Sequence, residues 1–446
     1  MTAPRIPPSP PLVSWLGGHL NRFRTGRLDF FTETARAYGD VVKLRFGHRR
    51  IYLVSHPELI EQVLVAQNQN FSKHFALRLN PLLLGKGLLT SEGDFWLRQL
   101  RLAQPAFGRN RIAAYGPAMV AAAQRLADSW RPGEHRDLLI DMMRVTLEIA
   151  AETLFGSEVT GAAGAVVEAL NVLQRHFLTR FNSLIPTPMW IPTPANLRHR
   201  RAVRRLDEIL YGFIRQRRAQ NVEKADLLSI LLHARDEDDG TRMTDRQVRD
   251  EAMTIFLAGH ETTALALAWT WYLLAQNPQV EESLVAEWRD VLGGRAPTVA
   301  DWPKLRFTDK VVLESMRLYP PAYVVGREAL ADCTIGDYHV PRGTTVLMSQ
   351  WVVQRDPRFF DEPAAFRPER WTDAFQKTMP KFAYFPFGGG PRLCIGNTFA
   401  LMEMALVLPT IGQRFRFTLA PGAVVTPQPT FTLRPQPGVP AVITPR

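Results

Sequence analysis

Phe387-Gly388-Gly389-Gly390-Pro391-Arg392-Leu393-Cys394-Ile395-Gly396 gathers four glycines, a cysteine and an arginine within ten residues. A thiolate is a strong anionic ligand for iron, and it donates electron density that favours O–O cleavage. Such a sulfur calls for a tight turn whose amide N–H groups point at it, and Gly390 and Gly396 permit that close approach. Ile395 and Gly396 are the candidate amide donors. Phe387 can cover the sulfur face, and Arg392 can pair with an anionic group nearby. Two blander readings compete. The cysteine could be an inert core residue beside a glycine turn. The loop could cradle phosphate, but the lysine and Ser/Thr of that motif are missing.

Upstream, Ala258-Gly259-His260-Glu261-Thr262-Thr263 lies inside a helical pattern over 245–276, capped by Thr244-Asp245 and stopped by Asn277-Pro278. A glycine and two threonines are unfavourable inside a helix. Thr262 can bond back to the Ala258 carbonyl, which bends helices. Such distortions mark functional sites, although a tolerated polar patch would look the same. His260-Glu261 starts a zinc-protease pattern, but Ala264 stands where the second histidine belongs, so that reading fails. Further on, Glu314 and Arg317 sit three apart on a helix over 308–318 and face one side. Pro320-Pro321 ends that helix.

These stretches resemble the cytochromes P450. Phe387, Gly390, Arg392, Cys394 and Gly396 match every fixed position of that family's haem-binding signature, and the motifs follow the family's order along nearly the whole chain. The resemblance implies a mainly α fold with a small β-rich side, one domain over 1–446, and haem b between the long helix and the cysteine loop. Cys394 would be the metal ligand. Glu314, Arg317 and the Arg370 of Phe366-Arg367-Pro368-Glu369-Arg370 would form a buried lock that keeps the cysteine loop in register. Glu261 and Thr262 match the family's acid–alcohol pair. Thr262 would donate a hydrogen bond on the dioxygen side, and Glu261 would relay protons from solvent. Arg392, Trp96 and Arg327 are the expected propionate partners, and Ala258 belongs to the cofactor-facing stretch. The family usually carries Trp-x-x-x-Arg at Trp96. Here that arginine position is Leu100, and Arg101, about 100° further round the helix, is the substitute.

The implied reaction inserts one oxygen atom of O2 into an apolar, fatty-acid, terpenoid or steroid-like substrate. Electrons would come from a separate ferredoxin or flavodoxin-type donor with its reductase, since little chain follows Gly396. Leu82, Leu88, Leu89, Phe256, Val324 and Val325 are the expected pocket wall, with the proline-broken apolar loop over 181–195 as a lid; core packing explains these side chains equally well. Peroxide-driven relatives and a non-catalytic haem carrier are rival readings, and the presence of Glu261-Thr262 argues against both.

Composition sets wider bounds. The 446 residues are 46% hydrophobic and 22% charged, ordinary for a globular protein with a large core. The net charge of +11 is spread along the chain, and nothing resembles a nucleic-acid module. Two cysteines, Cys333 and Cys394, exclude a disulfide framework and fit a reducing compartment. Met1-Thr2-Ala3-Pro4-Arg5-Ile6-Pro7-Pro8 has no signal-peptide pattern, and no run approaches the roughly 18 apolar residues of a membrane span. A soluble, cytoplasmic protein of bacterial type is expected.

Overall fold

Helix periodicity drives the architecture. The computed structural model describes residues 5–78, 81–156, 187–220 and 226–446, and within 157–186 only Glu168, Ala169, Val172, Leu173, Arg175, His176 and Thr179. Asp245–Gln276 forms the long central helix. Its start is a capping box in which the Gln247 amide donates to Thr244 Oγ1 (3.3 Å) and the Thr244 amide to Gln247 Oε1 (2.8 Å). Pro278 opens the next helix, Pro278–Leu292, at a position where its missing N–H costs nothing. Leu138–Phe155 packs along the central helix, and Arg109–Asp128, Arg306–Leu318 and Asn397–Gly412 complete the helical body.

Large aromatics fill the centre. Trp269, Trp271 and Trp288 are fully buried. Trp269 stacks on Tyr319 with ring centroids 4.0 Å apart, and its indole N–H donates to the Leu433 carbonyl at 3.0 Å. The second satisfies the polar edge that burial would otherwise strand.

The β-rich side is a five-stranded sheet in the order Val41–Phe46, Arg49–Val54, Thr345–Met348, Val325–Ala329, Phe71–Lys73. Gly47 turns the first hairpin at φ +61°. Near the C-terminus, Thr426–Pro429 pairs with Leu433–Gln436, and Pro440–Pro445 bridges His135–Asp137 and Phe415–Leu419. The fold class is mainly α with a small β side, as expected. Of the loop expected over 181–195, residues 181–186 lie outside the described residues. In the remainder of that loop Trp190 is 76% exposed.

Candidate active site around Cys394

The cysteine loop is built by three backbone bonds. Gly388 N–H donates to Phe385 O (2.9 Å), Leu393 N–H to Gly390 O (3.0 Å) and Cys394 N–H to Phe387 O (3.0 Å). Gly390 has φ +69°, and a Cβ there would meet the Leu64 carbonyl at 1.9 Å. Its glycine is therefore required by the π-helical segment Gln62–Ala66 beneath it rather than by the sulfur. Gly396 has an ordinary backbone, and a Cβ there would make only an ordinary contact with Phe107 at 3.8 Å, so its contribution is its amide, which bonds toward the sulfur. Burial pushes the Cys394 thiol up and the Gly396 N–H acts the other way. The residue is nonetheless accessible at its surface. Phe387 is half-buried and packs against the main core.

Beside the loop lies a cluster of cations. Arg392 pairs with Glu92, its guanidinium lies 5.0 Å from the Trp96 ring centroid, and one of its terminal nitrogens is buried without a partner. Lys73 Nζ is 5.7 Å from the same ring and donates to the Leu88 and Ser91 carbonyls at 2.6 and 2.7 Å. Arg327 is 9% exposed and bonds only the carbonyl of Gly326. Burial, then Arg392, lowers Arg327 to about 10. Burial is also the main cause that brings Lys73 down to about 7. Glu92 receives the Lys73 amide at 2.5 Å. Burial would raise its carboxyl, but the bonds from Arg392 and that amide hold it low. Three cations thus gather round Glu92, with Glu251 acting on Lys73 as well, and the cluster suits an added anion.

On the central helix, Thr262 Oγ1 donates to Ala258 O at 2.6 Å and Thr263 Oγ1 to Gly259 O at 3.0 Å, while the run stays α-helical. Glu261 Oε1 accepts from Thr432 Oγ1 (2.9 Å) and Arg434 Nη1 (3.0 Å) on the C-terminal hairpin. His260 is buried, and burial first, then Arg434, holds its imidazole at about 4, hence neutral. Glu403, on the helix that follows the cysteine, is fully buried; burial pushes its carboxyl well above the usual range, and the nearby Thr263 hydroxyl acts the other way.

The ionic cluster behind the loop is dry. Glu314 and Arg317 are both 0% exposed and bond in a fork at 2.8 and 2.9 Å. Arg370 Nε (2.9 Å), Trp371 Nε1 (2.9 Å) and the Arg367 amide (3.0 Å) complete the carboxylate. Arg317 also donates to the carbonyls of Gln354, Pro363 and Ala365. Gln354 in turn accepts the Phe385 amide at 3.1 Å, which links the cluster to the start of the cysteine loop.

Comparison with known proteins now bears on these residues. The family model described as Cytochrome P450 matches residues 7–441. The chain belongs to the cytochrome P450 family. It is 37% identical to Cyclooctatin synthase of Streptomyces melanosporofaciens, over 94% of this chain and 91% of that one. It is 35% identical to Pentalenene oxygenase of Streptomyces avermitilis, over 89% and 88%. Its fold matches the crystal structure of cytochrome P450DA heme domain with a TM-score of 0.90 and 28% identity, covering 100% of this chain and 98% of that one.

This P450 is a haem-thiolate monooxygenase, and its residues fit the group. A half-enclosed thiol with an amide donor suits an iron ligand, and the under-compensated Lys73, Arg327 and Arg392 suit two propionates. Two expectations are corrected. Arg101 does not join the cation cluster: its guanidinium is 2.7 Å from Asp238 and 3.7 Å from Asp236, because the extra residue after Leu100 turns it to another side of the helix. Phe256 is not a pocket residue. It is two positions, about 200°, round from accessible Ala258, and it packs on Phe155 and His260 in the core. Leu88, Leu89, Val324 and Val325 are half-buried and Leu82 is exposed. Lys73, Glu92, Trp371 and Arg434 escaped sequence reading. A lone lysine in Phe71-Ser72-Lys73-His74 carries no local signal. Trp371 adjoined a recognised motif and could have been found. No helix among the described residues is long and apolar enough to cross a membrane.

Proposed function

We propose that this P450 hydroxylates a cyclic terpenoid, holding haem b through Cys394 and taking electrons from a separate ferredoxin or flavodoxin-type donor. Kinship carries the substrate class: Cyclooctat-9-en-7-ol 5-monooxygenase, 37% identical over 89% of this chain, and Pentalenene oxygenase are both named for oxidation of such molecules. The half-buried aliphatic residues Leu88, Leu89, Val324 and Val325 support an apolar pocket wall.

Haem, when bound, supplies the activation of dioxygen. The chain's own residues do the rest. Gly396 N–H tempers the charge on the Cys394 sulfur. Lys73, Arg327, Arg392 and Trp96 would bind the propionates. Thr262 can turn its hydroxyl from Ala258 O to donate on the dioxygen side, and Glu261 brings protons from solvent. The net charge of +11 favours an acidic electron donor.

A spin-state titration of the purified holoprotein with cyclic sesquiterpene and diterpene alcohols, alongside long-chain fatty acids, tests the substrate class. Terpenoid alcohols should displace the water signature at micromolar concentration, and turnover should need NADPH with a donor and its reductase. Preference for fatty acids, or turnover with peroxide alone, would overturn the proposal. A ferrous carbon monoxide complex without the long-wavelength Soret band would remove Cys394 from the iron.

A further inference from the structure

We infer that Arg434 and Thr432, on the C-terminal hairpin, are positioning residues that hold the Glu261 carboxylate at a solvent-side station from which it serves Thr262. The inference rests on Glu261 acting as the proton carrier proposed above, and it assigns the residues that return the carrier to its starting place.

Glu261 and Thr262 are neighbours on the central helix, yet neither is aimed at the other. The Thr262 hydroxyl is committed to Ala258 O at 2.6 Å. One Glu261 oxygen accepts two bonds from the hairpin, from Thr432 Oγ1 at 2.9 Å and Arg434 Nη1 at 3.0 Å. A carrier acid must alternate between a place where it meets solvent and a place where it meets the alcohol. Glu261's side chain is 26% exposed, so the observed position is the solvent-side one.

The donors are fixed and the acid is the part that moves. Thr432 and Arg434 flank Leu433, and in an extended strand their side chains share one face. Leu433 is wholly buried; its amide donates to Pro321 O at 2.9 Å and its carbonyl accepts the Trp269 indole N–H at 3.0 Å. The turn before it is pinned twice more. Thr430 O accepts Tyr323 Oη at 2.7 Å, and Pro429 O accepts Arg27 Nη1 at 2.7 Å. The Arg434 side chain is 18% exposed, and among the described residues it has an ion pair with Glu261 alone. A part-buried cation and a hydroxyl that converge on one carboxylate oxygen define a resting place for it. The same hairpin hangs on the segment that runs from Pro321 to Val325, whose valines are expected to face substrate. Substrate contact and the resting place of the acid therefore share one support.

The test uses holoprotein with its electron donor, and four variants: Glu261→Gln, Arg434→Gln, Arg434→Lys and Thr432→Val. Peroxide released per O2 consumed is the first readout. Arg434→Gln should raise it about threefold, Thr432→Val should act in the same direction, and Arg434→Lys should restore much of the coupling. In the Glu261→Gln background Arg434→Gln should add nothing. The substrate dissociation constant should not move. The second readout needs no turnover: amide hydrogen exchange over 426–436 should quicken in Glu261→Gln and in Arg434→Gln, and no further in the double variant. If Glu261→Gln leaves coupling unchanged, the proton-carrier role itself fails. If Glu261→Gln uncouples but Arg434→Gln does not, or acts equally in both backgrounds, or weakens substrate binding instead, the positioning role fails while the carrier role stands. Should Arg434→Gln not fold, Thr432→Val carries the same comparison.

Discussion

Lys73 is 6% exposed and carries its charge among other cations. Burial is the first cause of its depressed value of about 7; Arg392 and Arg327 add to it, and Glu92 pulls the other way. In the unfolded chain a lysine keeps its proton to about 10.4. Between about 7 and 10.4 the unfolded state therefore binds more protons, and stability should rise with pH. Haem-free protein should accordingly resist urea better at pH 9 than at pH 7, and Lys73→Met should flatten that rise by up to about 1.4 kcal/mol per pH unit. A rise of equal slope in the variant would place the lysine's proton elsewhere. Gly390 gives a second test at this scale. Its φ of +69° and the 1.9 Å approach of a Cβ to Leu64 O leave no room for a side chain. Gly390→Ala should cost about 1–3 kcal/mol and lower the haem-to-protein ratio on purification, whereas Gly396→Ala should be far milder in stability. Both glycines were legible as part of a cysteine motif. Which atom each one makes room for was not, because the Leu64 carbonyl lies more than 300 residues away in sequence.

At the scale of elements, Glu314 receives donors from two stretches: Arg317 on its own helix, then the Arg367 amide, Arg370 and Trp371 from the segment after Phe366. A carboxylate this well satisfied contributes little net stability but is costly to break. Trp371→Phe removes one indole donor and should cost about 1–3 kcal/mol. Glu314→Ala leaves Arg317 buried without an anion and should cost about 3–5 kcal/mol. Urea unfolding of holoprotein measures both, and equal costs would mean that Arg317 does not depend on Glu314 for its compensation. The arginine–glutamate pair was visible in the sequence because i, i+3 spacing is a local signal. Most helices were visible for the same reason: an amphipathic stripe repeats every few residues. Asn397–Gly412, directly after the cysteine loop, was not. Met402 to Gly412 are all buried, so the helix has no polar face and no stripe to read. Val325–Ala329 was likewise hidden, since a short inner strand shows no alternation.

Over the whole molecule, the lock is joined to the start of the cysteine loop through Gln354, by its backbone carbonyl and its side chain. Glu314 reaches Arg317, Arg317 holds the Gln354 carbonyl, and the Gln354 side chain takes the Phe385 amide that begins the cysteine loop. The cluster beside the loop is charged for an anionic ligand. Arg327 shows this most clearly. It is 9% exposed, lowered to about 10 by burial and Arg392, and so still a cation at neutral pH. Without a dianion it is a buried charge beside Lys73 and Arg392, with Glu92 the carboxylate that acts on it; with two propionates in place it would gain a partner. Arg327→Met should therefore have opposite signs in the two states. Haem-free variant should be more stable than haem-free parent by about 1–3 kcal/mol. Haem-loaded variant should release haem to apomyoglobin several-fold faster than the parent. Destabilisation in both states would make Arg327 a packing residue, and no change in haem release would remove it from the propionate set. Replacing Arg101 in the same way supplies the control, since its partners Asp236 and Asp238 lie apart from the cluster: haem release from Arg101→Met should match the parent.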